Sequence, residues 1–148
     1  MAKSTLLGMM IAFTLLASPN VHAQQDMQAK KYDNPEWKRV VLIRFKPDKS
    51  ERAEEIINDY YLKACVKSGT ALPATLLDIK TGEWDMLLVW DMKEGIEEMN
   101  WETNPKDIAW KKALDEIAGS ASKANAVLDE FSSLIDRQVT NIGKPAKP

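Results

Sequence analysis

Two runs in this chain carry apolar side chains at consecutive positions, and that pattern narrows the possible folds more than any other feature. Val40-Val41-Leu42-Ile43-Arg44-Phe45 is β-branched and aromatic and ends at Pro47, and Trp84-Asp85-Met86-Leu87-Leu88-Val89-Trp90-Asp91-Met92 has a similar character. Side chains alternate across a strand, so each run presents apolar groups to both faces of a sheet. In the second run Trp84, Met86, Leu88 and Trp90 share one face, while Leu87 and Val89 make the centre of the opposite face apolar. Exposed apolar surface costs about 25 cal/mol per Å2 in water, so both faces need cover.

Between and beyond these runs the chain reads as follows. Asp48 is the expected N-cap of a helix, with Glu51 as its capping-box partner and Ala53, Ile56, Ile57, Tyr60 and Ala64 at helical spacing; Gly69 marks its end. Thr75 to Lys80 forms a second strand, joined to the Trp84–Met92 strand through Thr81-Gly82-Glu83 as a hairpin. Lys93 to Glu102 is a short helix or irregular turn. Asn104-Pro105 restarts a helix whose buried face is expected to hold Ile108, Ala113, Leu114 and Ile117, and Gly119 stops it. A further helix from about Ser122 buries Ala124, Val127, Leu128 and Phe131. Gln138-Val139-Thr140 favours a final strand over Leu134 to Ile142, with helix continued to Arg137 as the alternative. In a sheet of this size the helices cover one face only. The second apolar face therefore predicts a homodimer packed sheet against sheet.

The amino terminus has the layout of a cleaved signal peptide: Lys3, an apolar stretch from Leu6 through Leu16, and Val21-His22-Ala23 ahead of Gln24. About eleven apolar residues are too few for a membrane-spanning helix, and no cysteine stands at the cleavage point to take a lipid, so no membrane anchor is expected. Removing 23 of the 148 residues leaves 125, enough for one domain over 37–143, with a polar leader at 24–36 and a loose tail at 144–148. The expected location is periplasmic or extracellular. Cleavage removes one lysine and no acid, leaving 19 basic against 22 acidic residues, which gives no basic footprint for nucleic acid. Cys65 has no second cysteine to pair with and reads as a packed thiol. The one histidine, His22, leaves with the signal peptide. Ser-His-Asp and Cys-His catalysis and histidine-ligated metal or haem are thereby excluded, and no metal or cofactor is expected.

With strands at Val40–Phe45, Thr75–Lys80, Trp84–Met92 and Leu134–Ile142, the chain resembles the dimeric α+β barrel superfamily, as an exported member. The resemblance implies an α+β, ferredoxin-like βαββαβ antiparallel sheet with helices on one face and, in this chain, an extra helix in the second crossover. That superfamily includes cofactor-independent monooxygenases, haem-degrading enzymes, stress-induced small proteins and many uncharacterised members. The haem-degrading branch uses a histidine ligand, which this chain lacks after cleavage.

Five tryptophans, at 37, 84, 90, 101 and 110, either fill the core and dimer interface or line an aromatic pocket; Trp90 and Trp101 flank the strand-to-helix junction and are the pocket candidates. Asp85 and Asp91 lie opposite Trp90 on their strand, as acids beside an apolar interface or as rim and capping groups. Arg44 interrupts the first strand, as an anion contact or as the salt-bridge partner of Asp91 or Asp78. One of Tyr60 and Tyr61 faces the core, which leaves the other to offer a phenol, and Tyr61 is kept as the candidate. Glu97, Glu98, Glu102 and Asp107 read as a solvated helix face in preference to a cation site. Phosphate loops and nucleophile elbows are absent from the sequence. The leading expectation is a homodimer that binds a small, mostly apolar ligand through Trp90, Trp101, Asp91, Arg44 and Tyr61. A cofactor-independent oxygenase-like enzyme and a periplasmic protein-interaction module stay open as alternatives.

Overall fold

The computed structural model describes residues 29–146, so the expected signal peptide and its cleavage site lie outside the described residues. Strand β1, Lys38–Phe45, comes first. A helical stretch follows as α1, Ser50–Ile56, a π-helical turn, Ile57–Tyr61, and α2, Leu62–Ser68. Next come β2, Thr75–Asp78, and β3, Met86–Asp91, then a 3-10 turn at Gly95–Asn100, α3, Pro105–Ala118, α4, Ala121–Leu134, and β4, Ile135–Gly143.

The four strands form one antiparallel sheet in the order β2-β3-β1-β4. That order is the ferredoxin-like α+β arrangement, with the two longest apolar runs side by side at the centre of the sheet. Register follows from the alternation: Val41 pairs with Leu88 and Ile43 with Met86 on one face, and Val40 pairs with Val89 and Leu42 with Leu87 on the other. Helices cover the first of these faces. Val41, Ile43, Phe45, Met86 and Leu88 pack in one core cluster with Ile56, Ile57, Phe131 and Leu134. A second cluster, Ala64, Ala113, Leu114 and Ala124, joins α2, α3 and α4 to each other. Val40, Leu42, Leu87, Val89 and Val139 belong to neither cluster and remain partly exposed.

Several sequence expectations shift in detail. Lys49, rather than Asp48, is the α1 N-cap, and no side chain caps that helix end; Asp48 instead takes a left-handed conformation, φ 60°, in the tight turn after β1. β3 begins at Met86, so Trp84 does not continue the Met86-Leu88-Trp90 row. Its ring lies under the Arg137 guanidinium at 5.2 Å. Ile108 is exposed because the buried stripe of α3 runs through Trp110, Ala113, Leu114 and Ile117, and a residue two positions before Trp110 points about 160° away from it. Cys65 is half-buried where a core thiol was expected. The final strand favoured over Leu134 to Ile142 is present as β4, and α4 ends at Leu134 instead of continuing to Arg137.

Other signals meet the expected chemistry. The Asn104 side chain accepts from the Lys106 N–H at 2.8 Å, and Pro105 occupies the first helical turn. Gly69 and Gly119 end their helices in the left-handed conformation, which glycine adopts without a Cβ clash. Among the described parts of the leader and tail, Lys144 sits 4.4 Å from the Tyr32 ring centre. No helix among the described residues is long and apolar enough to cross a membrane.

Candidate functional site

The helix-covered face of the sheet is filled at one end and hollow at the other. Near the end of β1, Phe45 meets Phe131 edge-on with ring centres 6.2 Å apart, and Leu134 and Ile56 complete the packing. Toward the start of β1 the same face opens into a groove of about 1100 Å3. Its floor is Arg39, Val41 and Ile43 of β1, Leu88 and Trp90 of β3, and Gln138 and Thr140 of β4. Ile57, Tyr61, Leu62 and Cys65 form one wall; Met99, Trp101 and Trp110, with the start of α3, form another.

Local sequence explains how these side chains arrive there. The π-helical turn brings Ile57 and Tyr61 to the groove, and π-turns of this kind often occur where a helix must present a side chain out of α-helical register. Tyr61 packs tilted on Phe131 at 4.9 Å and edge-on to Trp110 at 5.3 Å, and the Trp110 Nε1–H donates to the Tyr61 carbonyl at 3.2 Å. Burial raises the Tyr61 phenol from 10.0 to about 12, so its hydroxyl stays protonated at neutral pH. That hydroxyl forms no hydrogen bond with the described residues.

The residues singled out from sequence divide between two places. Trp90, Trp101, Tyr61 and Asp91 all line the groove. Asp91 borders the groove at the end of β3 but shares the alternating row of Leu87 and Val89 on the opposite face, and there the Lys38 Nζ donates to Asp91 Oδ1 at 2.6 Å; that hydrogen bond raises the lysine pKa. Arg44 lies elsewhere. It occupies the opposite sheet face and forms an ion pair with Asp136, at 2.7 Å from Nε and 2.6 Å from its NH2 nitrogen. The partners anticipated for it are engaged otherwise, Asp91 by Lys38 and Asp78 by Lys80. β4 causes the difference: a register shift between Arg44 and Phe45 leaves Asp136 between two paired positions and within reach of the guanidinium.

Asp85 is also absorbed by the fold. Its Oδ2 accepts from the Phe45 N–H at 2.7 Å, and its own N–H donates to the Ile43 carbonyl at 2.9 Å, closing the end of the β1–β3 ladder. Glu94 and Glu98 approach Lys106 at 2.9 and 3.8 Å, and Glu97 accepts from Asn100. Among the described residues no three metal-ligating side chains converge. The remaining tryptophans are structural: Trp37 packs so closely under Gly95 that a Cβ there would lie 3.3 Å from its ring, and Trp84 stacks on Arg137.

One groove residue is missing from the sequence reading. Arg39 lies in the same alternating row as Val41 and Ile43, opposite Trp90 in the register, and its guanidinium carbon is 5.7 Å from the Trp90 ring centre. The signal was present: extending the β1 alternation two residues toward the amino terminus places Arg39 on the helix-covered face, whereas Arg44 falls on the other.

No known protein-family profile matches the chain, and no curated protein matches it in sequence. Solved structures do resemble it. A NIPSNAP family protein from Agrobacterium tumefaciens superposes with a TM-score of 0.50 at 11% identity, covering 80% of this chain and 93% of its own. A second NIPSNAP family protein from that organism, of unknown function, gives 0.48 at 11% identity over 78% and 93%, and an uncharacterised NIPSNAP domain protein from Burkholderia xenovorans gives 0.46 at 13% over 74% and 94%. At 11% identity the first of these likenesses concerns the ferredoxin-like α+β fold alone.

Proposed function

We propose that this chain is an exported homodimer of the dimeric α+β barrel type that binds a small, mostly apolar molecule in the groove between the sheet and its helices. The observation that carries the reading is the groove itself: about 1100 Å3, with Trp90, Trp101, Trp110 and Tyr61 around it. Ligand sites combine a largely apolar lining with a few placed polar groups, and Gln138, Thr140 and the Tyr61 hydroxyl supply such groups. Trp101 is 51% exposed at the mouth, an apolar ring left in water that a ligand would cover.

Dimerisation rests on the other face. Val40, Leu42, Leu87, Val89 and Val139 form an apolar patch without a helix from the core clusters on it, framed by the Lys38–Asp91, Arg44–Asp136 and Arg137–Glu83 pairs. An apolar centre inside a charged rim is the usual anatomy of a protein interface. Export rests on the signal-peptide pattern of residues 1–23. Titration of the purified protein with N-phenyl-1-naphthylamine, an uncharged aromatic probe, tests the binding reading. The probe is expected to brighten on binding and to bind about tenfold or more weakly in Trp90→Ala while the dimer stays folded. An unchanged response in that variant places binding outside the groove.

A further inference from the structure

The groove holds a guanidinium that an apolar ligand alone does not use. Four arginines are present in the chain. Arg44, Arg52 and Arg137 each form an ion pair, with Asp136, with Glu55 and Glu130, and with Glu83. Arg39 is the exception: it has no carboxylate partner among the described residues, and it is the arginine that lines the groove. Lys93, just beyond the end of β3 and so at the same end of the sheet as the start of β1, is a second groove cation without a carboxylate partner there. The groove also holds three acids, Asp91, Glu98 and Asp107, but Asp91 is paired with Lys38, Glu98 lies 3.8 Å from Lys106, and none of the three forms an ion pair with Arg39 or Lys93.

The Arg39 guanidinium carbon lies 5.7 Å from the centre of the Trp90 ring, within cation–π distance, beside the aromatic groups of the groove. A guanidinium presents two parallel donors, and a carboxylate or sulfonate accepts both. Beside that charged end the floor is Val41, Ile43 and Leu88, which has no use for a second charge.

We infer that the groove's ligand is an organic acid: a molecule with an apolar body that lies among Trp90, Trp110 and Tyr61 and an anionic group that Arg39 receives at the open end. This deepens the small-molecule binding reading and rests on it. The Tyr61 hydroxyl, protonated and free of hydrogen bonds to the described residues, offers the body one further polar contact from the helix wall.

The test compares two probes that share one skeleton. 1-Anilinonaphthalene-8-sulfonate carries an anion, and N-phenyl-1-naphthylamine is the same aromatic body without it. Fluorescence titration of the full dimer is expected to show the sulfonate bound at least about tenfold more tightly, the worth of one charge-assisted contact. Arg39→Gln should erase that preference, lowering affinity for the sulfonate about tenfold more than for the uncharged probe, while Lys93→Gln reduces it by a smaller factor. Lys49→Gln, an exposed lysine outside the groove, should leave it intact. Equal affinity of the two probes for the wild-type dimer, or a preference that survives Arg39→Gln, overturns the acid inference while the groove reading stands. Failure of both probes to bind the folded dimer overturns both.

Discussion

The two sides of β1 have opposite fates. Val41, Ile43 and Phe45 sit under α1, the π-turn and α4 and are 9%, 4% and 5% exposed, whereas Val40 and Leu42, between them in sequence and equally apolar, face away from every helix in the core. The chain supplies one partner layer for a strand that needs two. A strand apolar on both faces is thus a statement about its surroundings as much as about its own conformation, and here only half of those surroundings are encoded within the core clusters.

The largest effect expected from that contrast is on association. Leu42→Lys places a charge at the centre of the bare face, beside Leu87 and Val139, and in a sheet-to-sheet dimer two such charges would be buried together. At several kcal/mol per buried ion, association should weaken by about 5 kcal/mol or more, and sedimentation should report a folded monomer. A variant that remains dimeric places the interface elsewhere.

Ile43→Ala probes the other side of the same strand. It should lower stability to urea by about 2–5 kcal/mol, the range for truncating a well-packed core residue, and leave the subunit number unchanged. If instead Leu42→Ala costs as much in the isolated monomer as Ile43→Ala, the two faces are equivalent and the contrast fails.

A third prediction separates the hollow end of the covered face from its surroundings. Trp90→Ala should weaken binding of the uncharged naphthylamine by about tenfold or more, since the lost ring contributes about 1.5–3 kcal/mol of apolar contact. Trp84→Ala removes a ring of the same kind from beneath Arg137, outside the groove, and binding should be unaffected. Comparable losses in the two variants would mean that the effect comes from general loosening.

The smallest effect is one of pH. Tyr61 should ionise near pH 12 in the folded protein, followed by tyrosinate absorbance, while an unperturbed phenol ionises near 10. The folded state holds this proton more tightly than the unfolded chain does. Its contribution to stability is therefore complete below pH 10 and is lost as the pH rises to about 12. Tyr61→Phe should remove that alkaline component, and a titration in which no tyrosine shifts upward would show that the phenol is solvated.

The elements that were legible in the sequence are those whose signals are local. Asn104-Pro105 and the two helix-ending glycines carry their own chemistry, and alternation alone shows that Met86, Leu88 and Trp90 share one strand face while Leu87 and Val89 share the other. What escaped depends on distant chain. Asp91 or Asp78 was the expected salt-bridge partner of Arg44, and Asp136 takes that place because the bulge that delivers it is a property of how β4 docks, 92 residues away. Ile108 looked buried because its apolar character was visible and the direction of the α3 stripe, set by α2 and α4, was not. Within the candidate site, Trp90 and Trp101 were found from their place at a strand-to-helix junction. Arg39 is harder to place from sequence, because a charged residue at the start of a strand resembles an ordinary solvent-facing end until its face is counted.

The account depends most on a second copy covering Val40, Leu42, Leu87 and Val89. Native mass spectrometry of the protein, purified without refolding and sprayed at micromolar concentration, measures that most directly. The predicted spectrum is dominated by twice the chain mass and collapses to single chains in Leu42→Lys. A wild-type spectrum of single chains alone would contradict the account and leave the bare sheet face without the partner proposed for it.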